Sequence, residues 1–204
     1  MALSNDALTS LAAVKQYLGI STAEQDSLIE RLIEAVSARF MSHTGRKLAA
    51  RDYSHRPADQ AYDPDNAVLG GTGHPELLLP QYPVISLDRL EVDGREVSPS
   101  TAAGDGGWLL DRAAGVVMLS GAVFARATAN VGVIYRAGYE TIPADLAQAA
   151  VEQTAEAFEQ SSAGQGRLGV SARTLADGSL SYQVRELLPQ VAAVLERYRR
   201  RSLL

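Results

Sequence analysis

The 204-residue chain contains no cysteine. That absence removes disulfides, thiolate metal sites and cysteine nucleophiles at once, and it fits a reducing compartment. Aromatic residues make up only 6% of the chain, so the core is expected to be aliphatic and alanine-rich. No apolar run approaches the roughly 20 residues that cross a bilayer, so no membrane partner is expected. The first residues, Met1-Ala2-Leu3-Ser4-Asn5-Asp6, lack a basic lead and a long apolar stretch. A secretory signal is therefore not expected there. A basic surplus is missing too, since the formal net charge is -5. Proteins that wrap DNA use excess Lys and Arg to displace counterions, so tight DNA binding is disfavoured. An acidic balance instead suits a surface past which DNA slides without sticking.

Signatures of catalysis and of cofactor binding are equally scarce. His43, His55 and His74 are far apart and form no His-Glu-x-x-His motif, so they read as exposed or capping residues and no metal is expected. Asp59, Asp63, Asp65 and Asn66 resemble part of a calcium loop, but the twelfth position counted from Asp63 is His74 where a bidentate glutamate is needed. Gly70-Gly71-Thr72-Gly73 is followed by His74-Pro75 rather than Gly-Lys-Ser/Thr, so it reads as a flexible loop tip and not a phosphate cradle. No Gly-x-Ser-x-Gly elbow occurs, and no pair of acids stands out as a glycosidase pair. The expectation is a protein that is not an enzyme and has no cofactor.

What the sequence does contain is 46% hydrophobic and 21% charged residues, ordinary globular usage, and a clear order of segments. Leu11, Val14 and Leu18 share one helical face, with Thr9 as the expected N-cap and Gly19 as the stop. Ser21-Thr22-Ala23-Glu24 has capping-box spacing ahead of a broad stripe of Leu28, Ile29, Leu32, Ile33, Val36 and Phe40, ended by Gly45. The two segments predict a helical hairpin. Residues 52–138 are rich in Gly, Pro and Asp, with expected strands at 77–79, 84–87, 89–92, 108–110, 116–119 and 131–135. Asp93-Gly94 is a hairpin signal, because a type I′ turn needs positive φ at both central residues. Pro80 and Pro83 belong at an edge or a strand start, and residues 57–75 read as a long surface loop.

Helical pattern returns at Pro143, the expected first helical residue, with Asp145 at the positive end of the dipole. Leu146, Ala149, Ala150, Ala157 and Phe158 form a small-residue face for close helix packing or a subunit contact. Residues 161–183 show no clear period and read as a mobile or extended arm. The last helix starts near Pro189, carries Val191, Val194, Leu195 and Tyr198 on one face, and ends in Arg197, Arg199, Arg200 and Arg201 before Leu203-Leu204. The predicted fold class is α+β, a helical bundle with an antiparallel β insert and a C-terminal docking helix. The expected division is 1–51 for the hairpin, 52–140 for the insert, 141–160 for a bundle helix, 161–188 for the arm and 189–204 for the docking helix and tail.

The order of these segments resembles the head–tail connector, or head-completion adaptor, family of long-tailed phages and prophages. The likeness begins with Leu8-Thr9-Ser10-Leu11 through Gly19-Ile20, and continues from Asp26 to Ser37. It passes through Leu77-Leu78-Leu79-Pro80, Pro83-Val84-Ile85 and Val92-Asp93-Gly94, then Trp108-Leu109-Leu110-Asp111 and Val131 to Tyr139. It closes with Ile142-Pro143-Ala144-Asp145, Leu187-Leu188-Pro189 and Tyr198-Arg199-Arg200, and so spans residues 8–201. The long insert at 52–138 departs from a compact all-helical connector. The resemblance implies a virion protein of the neck, made in the host bacterial cytoplasm. It implies a ring of twelve subunits between the portal protein and a stopper or tail-completion protein, with genomic DNA passing transiently through its channel. Portal docking would fall to Val191, Leu195, Arg197, Tyr198, Arg199, Arg200 and Arg201. The competing readings are another head–tail piece, namely a stopper or tail-completion protein, and a hydrolase of unknown substrate.

Overall fold

The computed structural model describes residues 3–56, 69–101, 105–161, 172–175, 178–181 and 187–200. The described residues are mixed α+β. They divide into two compact units, one of Met1–Ala49 with Thr141–Arg201 and the other built on Ala50–Glu140.

The first unit is helical. Helix α1 (Leu11–Leu18) is capped by Ser10, whose side chain accepts from the Ala13 N–H at 3.2 Å. The cap is thus one residue later than Thr9, because Ser10 is the last extended residue and only its hydroxyl stands opposite the third helical amide. Gly19 ends the helix in the left-handed region at φ 69°, a conformation that costs a side-chain-bearing residue more. Helix α2 (Asp26–Thr44) begins after Gln25 without a side-chain cap. The Ser21–Glu24 box is therefore not used: residues 21–25 form the connection, and Asp26 in the first turn meets the dipole instead. Ile29, Ile33, Val36, Ser37, Phe40 and Thr44 form the buried stripe of α2. Ser37 lies on that stripe because its hydroxyl accepts the buried Leu8 N–H at 3.1 Å.

Helix α3 (Ala144–Glu159) follows Pro143, which is the cap residue rather than the first helical residue, with ψ 139°. Leu146, Ala149, Ala150, Val151, Ala155 and Phe158 are buried, together with the polar Gln153 and Thr154. A helix buried on so wide a face packs against several partners, and α3 contacts α1, α2 and the last helix α4 (Pro189–Arg197). Gln153 is satisfied by accepting the Leu188 N–H at 2.9 Å, which also ties down the entrance to α4. Pro189 sits in the first turn of α4, where its missing N–H costs no intrahelical bond.

In the expected arm, residues 172–175 and 178–181 are strands β8 (Ala172–Leu175) and β9 (Gly178–Ser181), paired antiparallel from Ala172↔Ser181 to Leu175↔Gly178. A regular ladder replaces the extended arm over these residues; the rest of the 161–183 reading lies largely outside the described residues.

The second unit is an antiparallel β structure. Strands β1 (Arg51–Ser54), β7 (Val131–Ala137), β3 (Val84–Val92) and β4 (Arg95–Glu96) form one sheet in the order β1-β7-β3-β4. Strands β2 (Glu76–Leu78), β6 (Val116–Ser120) and β5 (Gly107–Asp111) form a second, in the order β2-β6-β5. Residues from both sheets share one core, including Leu90, Val133 and Tyr135 from the first and Leu77, Val117 and Leu119 from the second. The segments 84–87 and 89–92 are one strand, with register shifts against β7 between Val84 and Ser86 and between Leu87 and Arg89. Asp93 and Gly94 have φ 51° and 74°, as a two-residue hairpin turn requires.

Two sequence expectations fail in this unit. Gly70-Gly71 is not a loop tip. A Cβ on Gly71 would lie 2.0 Å from the Ala125 carbonyl oxygen, and one on Gly70 2.5 Å from that of Ala127, so these glycines permit close backbone packing. Nor is His55 exposed: it is 2% accessible, its ring stacked on Tyr135, with Nε2 3.2 Å from the Tyr135 hydroxyl. Asp59, Asp63, Asp65 and Asn66 of the calcium-loop comparison, with the rest of positions 57–68 of the expected loop, lie outside the described residues.

Candidate functional site

The residues singled out for docking gather in the helical unit at the end of α4, but they divide sharply by exposure. Val191 and Leu195 are fully buried. Their spacing of four places both on the inner face of α4, so they hold the helix to the bundle rather than face a partner. Arg197, Arg199 and Arg200 are exposed, Tyr198 is half-buried, and Arg201 lies outside the described residues. In the packing set, Leu146, Ala149, Ala150 and Phe158 are buried and Ala157 is partly exposed.

The last turn of α4 is held by a clasp from two other helices. The Tyr198 hydroxyl donates to Asp145 Oδ1 at 2.6 Å. Arg197 Nη2 lies 3.0 Å from Asp145 Oδ2. Asp145 also accepts the Leu146 N–H at 2.9 Å, in the first turn of α3. The carboxyl is held below its ordinary range chiefly by the Tyr198 hydrogen bond, against the effect of burial, with further lowering from the Leu146 N–H and the Arg197 charge.

The C-terminal end of α2 supplies the other half of the clasp. The buried Arg46 donates from Nε to the Tyr198 carbonyl at 2.8 Å. The Thr44 carbonyl, one of the last acceptors of α2, takes the Arg200 N–H at 2.7 Å. Gly45 follows in the left-handed region at φ 70°, with the Arg200 Cβ 3.7 Å from where its own Cβ would stand. His43 Nε2 lies 3.2 Å from Glu196 Oε1, and Glu196 in turn is 3.4 Å from Arg199. The exposed pairs contribute little each, about 0–1 kcal/mol. The buried Arg46 bond and the backbone bond to Thr44 fix the path of the chain.

Sequence reasoning found Asp145 only as a dipole partner and Tyr198 only as a docking residue. Their contact joins positions 53 apart, and no local pattern announces it. The arrangement holds charge and shape, not reaction chemistry. Among the described residues no group of His, Asp and Glu is placed to hold a metal ion, and no helix is long and apolar enough to cross a membrane.

The family model of the head completion protein matches residues 7–201. The chain belongs to the head completion protein family. Membership makes it a structural protein of particle assembly, not an enzyme. No curated protein matches the chain. Among solved structures, a chain from the neck of the empty gene transfer agent particle, computed with C6 symmetry, is 19% identical with a TM-score of 0.58, over 100% of this chain and 95% of that one. A chain from the neck of the native particle, computed with C12 symmetry, is 20% identical with a TM-score of 0.58, over 100% and 94%. A third, from the virion of the native gene transfer agent particle, is 20% identical with a TM-score of 0.54, over 100% and 95%. At these identities the likeness establishes a shared fold.

Proposed function

We propose that this head completion protein is a head–tail adaptor. Twelve copies form a ring in the virion neck beneath the portal protein, and the far face receives a stopper or tail-completion protein. The observation that carries this reading is a family match running through both units, from residue 7 to residue 201. Chains with this fold lie in particle necks computed with C6 and with C12 symmetry, which supports a ring. The net charge of -5 supports a channel through which DNA passes without adhering.

Portal contact belongs to the exposed arginines at the end of α4 and the segment that follows. Val191 and Leu195 serve it indirectly, by seating α4 in the bundle. The arginines offer planar, multiply donating heads to an acidic or polar surface.

The test is native mass analysis of the full chain mixed with the portal ring of the same genome. Twelve copies on each portal ring are expected. A folded chain that leaves the portal bare would overturn the adaptor reading and favour a stopper. Removing everything from Pro189 onward would be a poor variant, since it strips Val191 and Leu195 from the core. Arg199→Glu with Arg200→Glu leaves that core intact.

A further inference from the structure

The outer faces of the two sheets in the β unit differ in kind. In the first sheet the outward rows run Asp52–Arg136–Ser86 and Ser54–Ile134–Arg89. Its charges pair with one another, Arg136 with Asp52 at 3.0 Å and Arg89 with Glu91 at 2.8 Å, as suits a face in water. In the second sheet Leu77, Val117 and Leu119 enter the core, so their neighbours along each strand point the other way. The outward rows there are Glu76–Met118–Leu109 and Leu78–Val116–Asp111. Met118 and Val116 hold the centre of this face, Leu78 and Leu109 stand at two opposite corners, and Leu109 is 38% exposed. Strands that are apolar on both sides belong to a sheet covered on both sides. The exposed Glu76 and Asp111 occupy the other two corners, so what covers this face is apolar or small at its centre and basic at its ends.

Helix α2 carries that surface. Its exposed residues are Ser27, Arg31, Ala35, Ala38, Arg39 and Ser42, which include two arginines, two alanines and no acid. Arg31, Ala35 and Arg39 are four apart and form one ridge. The two arginines are about 12 Å apart along the axis, at a rise of about 1.5 Å per residue. Glu76 and Asp111 lie two strands and two residues apart, which is also about 12 Å on the diagonal at the usual sheet spacings. We infer that the outer face of the β2-β6-β5 sheet in one copy of this chain receives the Arg31–Ala35–Arg39 ridge of α2 from the next copy. Ala35 lies over Met118 and Val116, Leu78 and Leu109 flank the helix, and the arginines meet Glu76 and Asp111. The inference rests on the adaptor reading, which supplies the ring, and it adds which surfaces meet within it. Face and ridge are different surfaces, so every copy offers both, and such a contact closes a ring rather than stopping at a pair. Two copies stacked sheet on sheet would instead bring four carboxylates into one contact.

The test exploits a chain without cysteine. Full-length chains carrying Ala35→Cys, Met118→Cys or both are assembled on the portal ring and treated with a short bismaleimide. The double variant is expected to give a ladder of linked multimers, an equal mixture of the two single variants linked dimers, and either single variant alone only monomers. Dimers from Met118→Cys alone would place sheet on sheet and overturn the contact, and so would a full ring of the double variant that stays unlinked. Charge reversal gives a second reading. Glu76→Arg with Asp111→Arg should raise the concentration that half-fills the portal by about tenfold or more, because like charges then face each other. Adding Arg31→Glu and Arg39→Glu to that chain should restore filling, an outcome that loss of folding would not give. Filling by the first charge variant equal to wild type, or no recovery in the second, would overturn the pairing. A wild-type chain that forms no ring on the portal, seen by native mass before any linking, would instead remove the adaptor reading and this contact with it.

Discussion

The helical unit and the β unit are stabilised in different ways, and the difference shows where each is open to change. The helical unit is assembled from two stretches of sequence, Met1–Ala49 and Thr141–Arg201. It closes through residues far apart in the chain: Leu8 on Ser37, Leu188 on Gln153, Tyr198 on Asp145. The β unit is continuous over Ala50–Glu140 and closes through sheet ladders, tight glycines and a stack of His55, Tyr53 and Tyr135. The first carries its charged end on a buried core that includes Val191 and Leu195. The second buries His55 and Gln81 around Tyr135, whose hydroxyl accepts the Gln81 N–H at 3.3 Å.

The largest effect is expected from Leu195→Ala in the helical unit. Removing a fully buried leucine leaves a cavity and should cost about 2–5 kcal/mol, read from the helical signal at 222 nm during denaturant unfolding. An unchanged midpoint would break the claim that α4 belongs to that core. Gly71→Ala makes the matching cut in the β unit, where the new Cβ would meet the Ala125 carbonyl at 2.0 Å. About 1–3 kcal/mol should be lost, by the usual cost of overpacking. The single tryptophan, Trp108, lies in this unit and reports its unfolding by fluorescence.

Acid sharpens the contrast further. Asp145 has a lowered pKa in the folded chain, so its contribution is present above the unfolded value of about 3.9 and is lost as pH falls through the folded value. As pH falls through that lowered value the clasp should loosen, seen as a smaller protection factor at the Arg200 amide, and Asp145→Asn should remove that dependence. The smallest effect belongs to Tyr17→Ser on α1, a side chain 56% exposed. Its unfolding midpoint should correspond to a change within about 0.5 kcal/mol.

Much of this fold was legible because local chemistry and tertiary structure agree. The stripe of α2, the left-handed stops at Gly19 and Gly45, the Asp93-Gly94 turn and Pro189 at the start of α4 all lie where their residue types require. Strand β1 escaped notice because Arg51-Asp52-Tyr53-Ser54 has one buried residue, Tyr53, and is defined by its partner β7. The capping box at Ser21 was a correct motif in the wrong place, overruled by a helix that starts at Asp26. Strands β8 and β9 lack an apolar alternation, and their pairing decides them. At the site, the arginines were visible as composition, but burial of Val191 and Leu195 and the reach of Tyr198 to Asp145 depend on packing that a single helix pattern does not encode.

The most direct test of the adaptor account is complementation of particle assembly. A phage or prophage lacking this gene would be supplied with the wild-type chain or with Arg199→Glu and Arg200→Glu together, and particles counted by electron microscopy. The account predicts heads without tails in the deletion, rescue by the wild type, and failure of the double variant despite a folded protein. Normal numbers of tailed particles in the deletion would contradict it.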